Sequence, residues 1–187
     1  AQETRTAPWR RPGPSGRPPA RAGPRIDAVA GIETDQVELF GRRLPAPVLV
    51  APIGAAGLIT RDADLEVGAA AAQRGLPYIL SSQGSSPMEA TAAAMGSAPR
   101  WFQLYWSKDE ALVDSFIARA ETIDAGALVV TLDTTLLGWR PWDLDLGSLP
   151  FTRGVGIAQY TSDPRFAELV AERISADVED EPVAVTP

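Results

Sequence analysis

Alternation of short apolar segments with helical segments is the feature that most constrains the fold of this chain. Strand-like segments are predicted at Pro47–Gly57, Tyr78–Leu80, Trp101–Trp106 and Ala127–Thr131. Apolar residues at helical spacing fill the three intervals between them, and the strands recur roughly every 22 to 30 residues. Such a repeat is typical of consecutive βα units, so the sequence predicts an α/β fold with a parallel sheet.

The fourth predicted strand is followed by polar residues and then by a long irregular segment. Its apolar run, residues 128–130, shows no alternation with polar residues, which predicts a strand buried on both faces. Thr131 and Asp133 follow at its carboxyl end, where parallel sheets place ligands. The irregular segment then continues to Phe151, and a loop of that length more often covers a site than merely connects two elements.

Composition excludes several classes of function. The chain has 187 residues, of which 45% are hydrophobic, so it can bury a core. Its formal net charge of −7 disfavours a nucleic-acid binder. Cysteine and histidine are both absent, which removes thiolate and imidazole metal ligands together with the commonest general base, and we predict no metal site. We find no apolar run long enough for a membrane span and no secretory signal, and therefore expect a soluble cytoplasmic protein.

The two ends of the chain differ in composition from its centre. Residues 1–25 contain six Arg and six Pro with few hydrophobic residues, so we predict a disordered arm. A basic arm for nucleic acid is the alternative, although such arms usually carry Lys and less Pro. We predict an ordered domain over 26–176, whose last helix ends near Ala176, and an acidic disordered tail over 177–187.

Local signals predict where the helices begin and which faces they bury. Thr60 or Asp62 is expected to cap the first helix, and Gly75 to end it. Ser86 and Ser107 each begin a capping-box pattern. The apolar stripes predicted to face the core are Leu65, Ala69 and Ala72 in the first helix, Leu112, Val113, Phe116, Ile117 and Ala120 in the third, and Phe166, Leu169, Val170 and Ile174 in the last.

Polar side chains recur at the carboxyl ends of the last three predicted strands. Because these ends meet at one edge of a parallel sheet, the sequence predicts a pocket for a neutral ligand with a polar edge. For Ser81 and Thr131, the alternative is that they only cap strand ends. Gly54 and Gly57 leave the backbone bare after the first strand, so either a flat ligand approaches it or the segment is a plain turn into the helix. The polar residues concerned are Ser81, Ser82, Gln103, Tyr105, Thr131 and Asp133.

Four motifs in this order resemble one enzyme family. APIGAAG (51–57), LSS (80–82), WFQLYW (101–106) and TLDTTLLGWRPWDL (131–144) are similar to motifs of the FMN-dependent α-hydroxy-acid oxidising enzymes, most closely the lactate 2-monooxygenase and lactate oxidase branch. The resemblance covers about residues 37–164. It implies a partial TIM (β/α)8 barrel of about the first four βα units, and an FMN-dependent oxidation of small 2-hydroxy acids such as lactate with O2 as the acceptor.

The resemblance also implies roles for individual residues. Tyr105 would be catalytic and contact the oxygen that is oxidised in the substrate, and Arg140 would bind the substrate carboxylate. Six further residues would bind FMN. Pro52, Ile53 and Gly54 would lie against the isoalloxazine ring, with backbone N–H groups toward N5. Ser81, Gln103 and Thr131 would bind its pyrimidine edge.

The chain also departs from the pattern of this family. The later barrel strands of the family supply a Lys near the flavin, a catalytic His and the loops that hold the FMN phosphate, and this sequence shows none of these motifs. We therefore expect a truncated or frameshifted product whose retention of FMN is doubtful. It would act with a second-half chain or as a homo-oligomer, and the alternative is a non-catalytic remnant.

Overall fold

A parallel sheet with helices packed on one face forms the centre of the fold. The structure is a computed structural model that describes residues 36–133 and 149–179, with residues 139, 141, 145 and 147 between them. The described residues fall within one compact unit. The predicted N-terminal arm, the domain boundary at residue 26 and most of the predicted acidic tail lie outside the described residues.

Between Arg42 and Thr131, strands and α-helices alternate along the chain. Single 3₁₀ turns at Ala56–Leu58 and Pro150–Arg153 add to them. In order, the elements are β1 (Val37–Leu39), β2 (Arg42–Leu44), α1 (Ala63–Gln73), β3 (Tyr78–Leu80), α2 (Met88–Met95), β4 (Arg100–Tyr105), α3 (Glu110–Thr122), β5 (Leu128–Thr131), α4 (Ala158–Thr161) and α5 (Pro164–Glu179).

The main sheet has the order β3-β4-β5, and all three strands are parallel. The register pairs Leu80 with Phe102 and Tyr105 with Thr131, so the carboxyl ends of the strands lie side by side. A separate antiparallel hairpin joins β1 to β2 through a two-residue turn at Phe40 and Gly41, both at positive φ. The prediction of βα units in a parallel sheet is confirmed.

The core lies between the sheet and the helices. Leu80 and Phe102 point to the helix side, and the Phe102 ring meets Phe116 of α3 edge to face at 6.2 Å. Each such fully buried side chain contributes about 1.5–3 kcal/mol of hydrophobic stabilisation. The predicted stripe of α3 is confirmed, because Leu112, Val113, Phe116 and Ala120 are buried and Ile117 packs against them.

The prediction of a buried strand over Pro47–Gly57 is wrong. Only Val50 pairs with the sheet, through a single parallel bridge to Tyr78, and Val48 is 51% exposed. The extended backbone ends early because Ala55 adopts a left-handed conformation (φ +53°) before the 3₁₀ turn. The segment therefore lies along the sheet without forming a full strand.

Strand β5 is also not buried on both faces as predicted. Leu128 and Val130 are 41% and 43% exposed, although Phe102 and Leu104, their register partners on β4, are fully buried. In the described part of the chain, β5 pairs only with β4 and lies at the sheet edge. The described helices cover the helix side of β4 but leave the same side of β5 open.

Helix α1 presents a face that is rotated by about one residue from the predicted stripe. Its buried positions include Asp64, Gly68 and Ala71, while the predicted Leu65, Ala69 and Ala72 are only partly buried. Close packing against α2 explains this, because a Cβ at Gly68 would lie 3.0 Å from Met95 Cγ. Gly75 follows the helix at positive φ, and the predicted end is confirmed.

Neither capping box forms as predicted. Ser86 makes no capping bond to α2, whose first residue, Met88, instead donates its N–H to the Gln159 side chain. Helix α3 is capped by Asp109, which accepts from the N–H of Leu112, and α1 has no side-chain cap. At the start of both helices, another side chain, Gln159 for α2 and Asp109 for α3, accepts the backbone N–H in place of the predicted Ser.

The last helix, α5, extends to Glu179, three residues beyond the predicted end near Ala176. Its predicted stripe divides into two parts: Phe166 and Leu169 pack on the core, whereas Val170 and Ile174 are 42% and 59% exposed. Within the described residues, no helix is both long and apolar enough to cross a membrane.

Candidate functional site

Three polar side chains are hydrogen-bonded in series at the carboxyl ends of the parallel strands. Ser81 directly follows β3, Gln103 lies in β4 and Thr131 ends β5. The Ser81 hydroxyl donates to Gln103 Oε1 at 3.0 Å, and Gln103 Nε2 donates to Thr131 Oγ1 at 2.9 Å. The structure thus brings together three of the residues predicted from the sequence, which we call the polar row.

The polar row keeps unused hydrogen-bonding capacity. Toward the described residues, Gln103 donates one of its two amide hydrogens and accepts at one of the two lone pairs of Oε1, so one donor and one acceptor remain. The Thr131 hydroxyl accepts from Gln103, which leaves its own hydrogen free to donate. Gln103 is only 7% exposed, so these groups stand in a largely desolvated place where an unmatched polar ligand edge would bind poorly.

The other polar residues predicted at these strand ends have different positions. Ser82 is fully buried; its hydroxyl donates to the Gln103 carbonyl at 2.5 Å and accepts from the Tyr105 N–H at 3.1 Å. Its hydroxyl therefore caps backbone groups at the end of β4. The Tyr105 side chain is partly exposed and shares a sheet face with Gln103, whereas Asp133 is exposed.

The segment containing Pro52–Gly54 lies against the loop that carries Ser81. The Ala55 N–H donates to the Gln83 carbonyl at 2.9 Å, and the Gly57 N–H donates to Ser85 Oγ at 2.9 Å. A Cβ at Gly54 would lie 2.9 Å from Gln83 Oε1, so the approach of the two loops favours glycine there.

The predicted ring-contacting residues are accessible. Ile53 is 46% exposed and Gly54 is exposed, while Pro52 is partly buried. Within the described residues, the backbone N–H groups of Ile53 and Gly54 donate to no protein acceptor. They can therefore serve a ligand that reaches this segment.

Asp64 is a buried residue that sequence reasoning missed. Its carboxylate accepts the N–H groups of Ser85 and Ser86 at 2.7 and 3.0 Å, and so fixes the loop between Ser81 and α2. Burial, followed by the charge of Asp64 and a long hydrogen bond to it, raises the pKa of the Tyr78 phenol. An acidic residue inside an otherwise apolar helix face was the only local signal.

An ion-pair network centred on Arg119 holds the helices beneath this loop. Arg119 binds Glu89 of α2 through two hydrogen bonds of 2.7 and 3.0 Å, and it also pairs with the buried Asp163 at 3.1 Å. The hydrogen bond from Arg119 lowers the pKa of Glu89 against the opposing effect of its burial. The same guanidinium donates to the Gln159 carbonyl at 2.7 Å.

The predicted substrate ligand Arg140 lies outside the described residues. Its neighbour Trp139 is 84% exposed, and Trp106, which follows β4, is 63% exposed. The described residues therefore contain the predicted cofactor contacts and Tyr105, but not the predicted carboxylate-binding Arg140.

Comparison with protein families and curated proteins identifies relatives of the chain. The model of the FMN-dependent dehydrogenase family matches residues 24–183. FMN-dependent alpha-hydroxy acid dehydrogenase qulF of Penicillium citrinum is 42% identical over 143 residues, which are 76% of this chain and 36% of the relative. L-lactate oxidase of Lysinibacillus sphaericus is 38% identical over 141 residues, covering 75% of this chain and 36% of the relative.

Solved structures of mandelate oxidase also match the chain. The complex with (S)-2-phenylpropionate has 34% sequence identity and a TM-score of 0.63, and it covers 70% of this chain and 38% of the oxidase. A mandelate oxidase variant carrying a C4a-OH-FMN adduct has 34% identity and a TM-score of 0.62 over 67% of this chain and 37% of the oxidase. The chain thus spans little more than a third of the length of these relatives. The match to these structures and the open parallel sheet confirm the predicted partial barrel.

Proposed function

Because the chain belongs to the family of FMN-dependent α-hydroxy acid dehydrogenases and oxidases, we propose that it forms the cofactor-edge part of an enzyme that oxidises small 2-hydroxy acids such as lactate with O2 as the acceptor. The observation that carries this proposal is the polar row, which stands at the carboxyl ends of β3, β4 and β5. The finer assignment to a lactate oxidase or a lactate 2-monooxygenase remains part of the proposal.

The polar row matches the pyrimidine edge of a flavin in chemistry. That edge alternates carbonyl acceptors with an N–H donor, and Gln103 retains one donor and one acceptor on a single planar amide. The free hydroxyl hydrogen of Thr131 adds a donor beside it. Ser81 orients the amide by donating to Oε1, which fixes the side on which the amide oxygen lies.

The segment Pro52–Gly54 would complete the cofactor contacts on the ring. Its exposed surface and the available N–H groups of Ile53 and Gly54 suit a flat ring that lies on the backbone, with N5 within reach of an N–H. When bound, FMN would accept the two electrons released by the substrate. The residues described therefore fit the ring of the cofactor, and they are the ones that would hold it.

Substrate contacts are assigned to Tyr105 and Arg140. Tyr105 shares the face of β4 with Gln103, so its phenol would stand beside the ring and donate to the substrate oxygen that is oxidised. Arg140 would bind the substrate carboxylate through paired N–H groups. A cytoplasmic location is likewise a proposal.

A second candidate is a non-catalytic remnant, or a half-barrel subunit that needs a partner chain or another copy. The absence of histidine from these 187 residues favours it, because no imidazole base is available among them. The nucleotide sequence directly downstream discriminates between the two. An intact, co-expressed frame with a Lys-bearing strand and an H-G-G-R-like motif supports an enzyme completed by a second chain, and a broken frame supports the remnant.

Flavin binding tests the assigned site without relying on turnover. We expect FMN fluorescence to be quenched by the chain at high micromolar concentration, and Gln103→Leu to weaken binding roughly tenfold because a buried hydrogen-bonding group is lost. Gln73→Leu, at an exposed position of α1, is the matched control and should leave binding unchanged. No quenching by the wild-type chain, or equal binding by Gln103→Leu, would contradict the proposed site.

A further inference from the structure

Gln159 connects the segment after the long loop to the loop that carries Ser81. It is 1% exposed, and its side-chain amide makes three hydrogen bonds, all to one short stretch of chain. Nε2 donates to the carbonyls of Ser86 at 2.9 Å and Ser81 at 3.4 Å, while Oε1 accepts the N–H of Met88 at 2.8 Å. One side chain thus holds both ends of the loop between β3 and α2.

The loop is shaped to admit this side chain. A Cβ at Gly84 would lie 2.8 Å from Gln159 Nε2, so the glycine leaves the space that the amide occupies. The Ala158 N–H donates to the Gly84 carbonyl at 3.0 Å, which adds a backbone connection beside the amide. From the opposite side, Arg119 donates to the Gln159 carbonyl at 2.7 Å and anchors α4 to the helix layer.

We propose that Gln159 is a positioning residue for the flavin-edge site, acting through Ser81. It fixes the Ser81 backbone, and the Ser81 hydroxyl then bonds both the Gln83 N–H at 3.0 Å and Gln103 Oε1 at 3.0 Å. Loss of Gln159 lets the Ser81 hydroxyl leave Gln103, so the amide no longer presents a fixed donor and acceptor. The inference rests on the proposed function, because it assigns Gln159 to the recognition of the flavin edge.

A purely structural role for Gln159 would lower stability without changing what the polar row recognises. The matched control is Ser115→Ala, which removes a hydrogen bond of 2.7 Å to the buried Asp163 in the same helix layer but touches neither the loop nor the polar row. Two variants probe Gln159 itself. Gln159→Met removes three hydrogen bonds and leaves the Met88 N–H and the Ser86 carbonyl without the partner seen here, while the Ser81 carbonyl keeps the Gly84 N–H at 3.0 Å. Gln159→Glu retains the acceptor for the Met88 N–H.

The test compares riboflavin with 3-methylriboflavin, which lacks the N–H of the pyrimidine edge. We expect the wild-type chain to bind riboflavin roughly three to ten times more tightly, as one hydrogen bond implies. The ratio of the two dissociation constants, measured by fluorescence quenching, should fall toward one in Gln159→Met and in Gln159→Glu at pH 8. It should stay at the wild-type value in Ser115→Ala.

Gln159→Glu can be tested at two pH values, so the comparison remains decisive if Gln159→Met does not fold. Near pH 5 the introduced carboxyl, buried against two carbonyls, is protonated and donates again, so the ratio should recover. A second readout is hydrogen exchange of the Gln83 N–H, which should be faster in both Gln159 variants at pH 8 than in Ser115→Ala.

The possible outcomes separate the two proposals. The positioning role is overturned if folded Gln159→Glu at pH 8 keeps the wild-type ratio of flavin dissociation constants and the wild-type hydrogen exchange rate of the Gln83 N–H. Equal binding of both flavins by the wild-type chain overturns the proposed function, and the exchange of the Gln83 N–H then decides whether Gln159 positions the loop.

Discussion

Hydroxyl and amide groups in this chain divide between those that complete the fold and those left with capacity for a ligand. The Ser82 hydroxyl is hydrogen-bonded to two backbone groups of β4, and the Asp64 carboxylate accepts two backbone N–H groups of the loop before α2. Gln103 and Thr131 instead retain donors and an acceptor at the sheet edge. Unused capacity on a largely buried amide is what distinguishes the polar row from ordinary strand-end caps.

Tyr78 provides a prediction on pH dependence. The phenol is 1% exposed, and its pKa is raised mainly by burial and secondly by Asp64, so the protonated form is favoured in the folded state. The corresponding stability is fully present below the ordinary tyrosine pKa of about 10 and is lost as the pH rises above it. We expect Tyr78→Phe to unfold at nearly the wild-type urea concentration at pH 7, but at a higher one at pH 11.

The measurement is urea unfolding followed by circular dichroism at both pH values. Tyr160, whose pKa is also raised, by burial and then by the charge of Tyr105, remains in both proteins and does not affect the comparison. A loss of more than about 1 kcal/mol in Tyr78→Phe at pH 7 would mean that the 3.5 Å contact with Asp64 matters more than burial.

At the scale of elements, the exposed edge of β5 governs association. Leu128 and Val130 are about two-fifths exposed, and Leu132 just beyond is 83% exposed. Among the described residues, the outer edge of β5 pairs with no other strand. An apolar edge strand with free N–H and C=O groups invites pairing with another copy. We therefore expect the purified chain to self-associate. A monodisperse monomer that unfolds cooperatively would contradict this prediction.

A charge placed on this edge should reverse the association. We expect Val130→Lys to raise the monomer fraction in sedimentation velocity experiments, because pairing would bury the ammonium group. Val170→Lys is the matched control, since Val170 on α5 is exposed to nearly the same extent, 42% against 43%. If both substitutions change the monomer fraction equally, association depends on general surface polarity and not on β5.

Element positions follow from local pattern, whereas burial and capping do not. Tyr78–Leu80 was predicted with its observed bounds, because a short apolar run between Pro77 and the Ser-rich turn leaves little choice. The cap of α2 could not be predicted, since its partner, Gln159, is 71 residues away in sequence. The burial of β5 depends on which helix covers it, and the apolar run of residues 128–130 carries no information on that point.

The candidate site was predictable in part. The polar row followed from the rule that parallel strands bring their carboxyl ends together, and its hydrogen bonds confirm the proximity of Ser81, Gln103 and Thr131. The residues that hold the loop, Asp64 and Gln159, were missed because they act through contacts between segments distant in sequence. Their assigned and proposed roles rest on tertiary geometry alone.

At the scale of the whole molecule, the described sheet would provide one side of the proposed cofactor site. It consists of β3, β4 and β5 with Val50 bridged beside β3, and it is not closed. A closed barrel of eight parallel strands places its phosphate-binding loops after the seventh and eighth strands. In the proposed site, the polar row and the Pro52–Gly54 segment would contact the ring, and strong anchoring of FMN would need groups beyond the described residues.

The chain by itself should accordingly bind flavin weakly and not catalyse the reaction. Removing a proton from a 2-hydroxy acid requires a positioned base, whose assistance is typically worth about 10²–10⁴ in rate, and the sequence contains no histidine to provide it. We expect the purified 187-residue chain to lose FMN on gel filtration and to turn over neither lactate nor glycolate. The measurements are the flavin absorbance of the eluted protein and O2 consumption with each substrate. A yellow protein whose flavin spectrum is bleached anaerobically by lactate would show that this chain alone assembles both a cofactor site and a base.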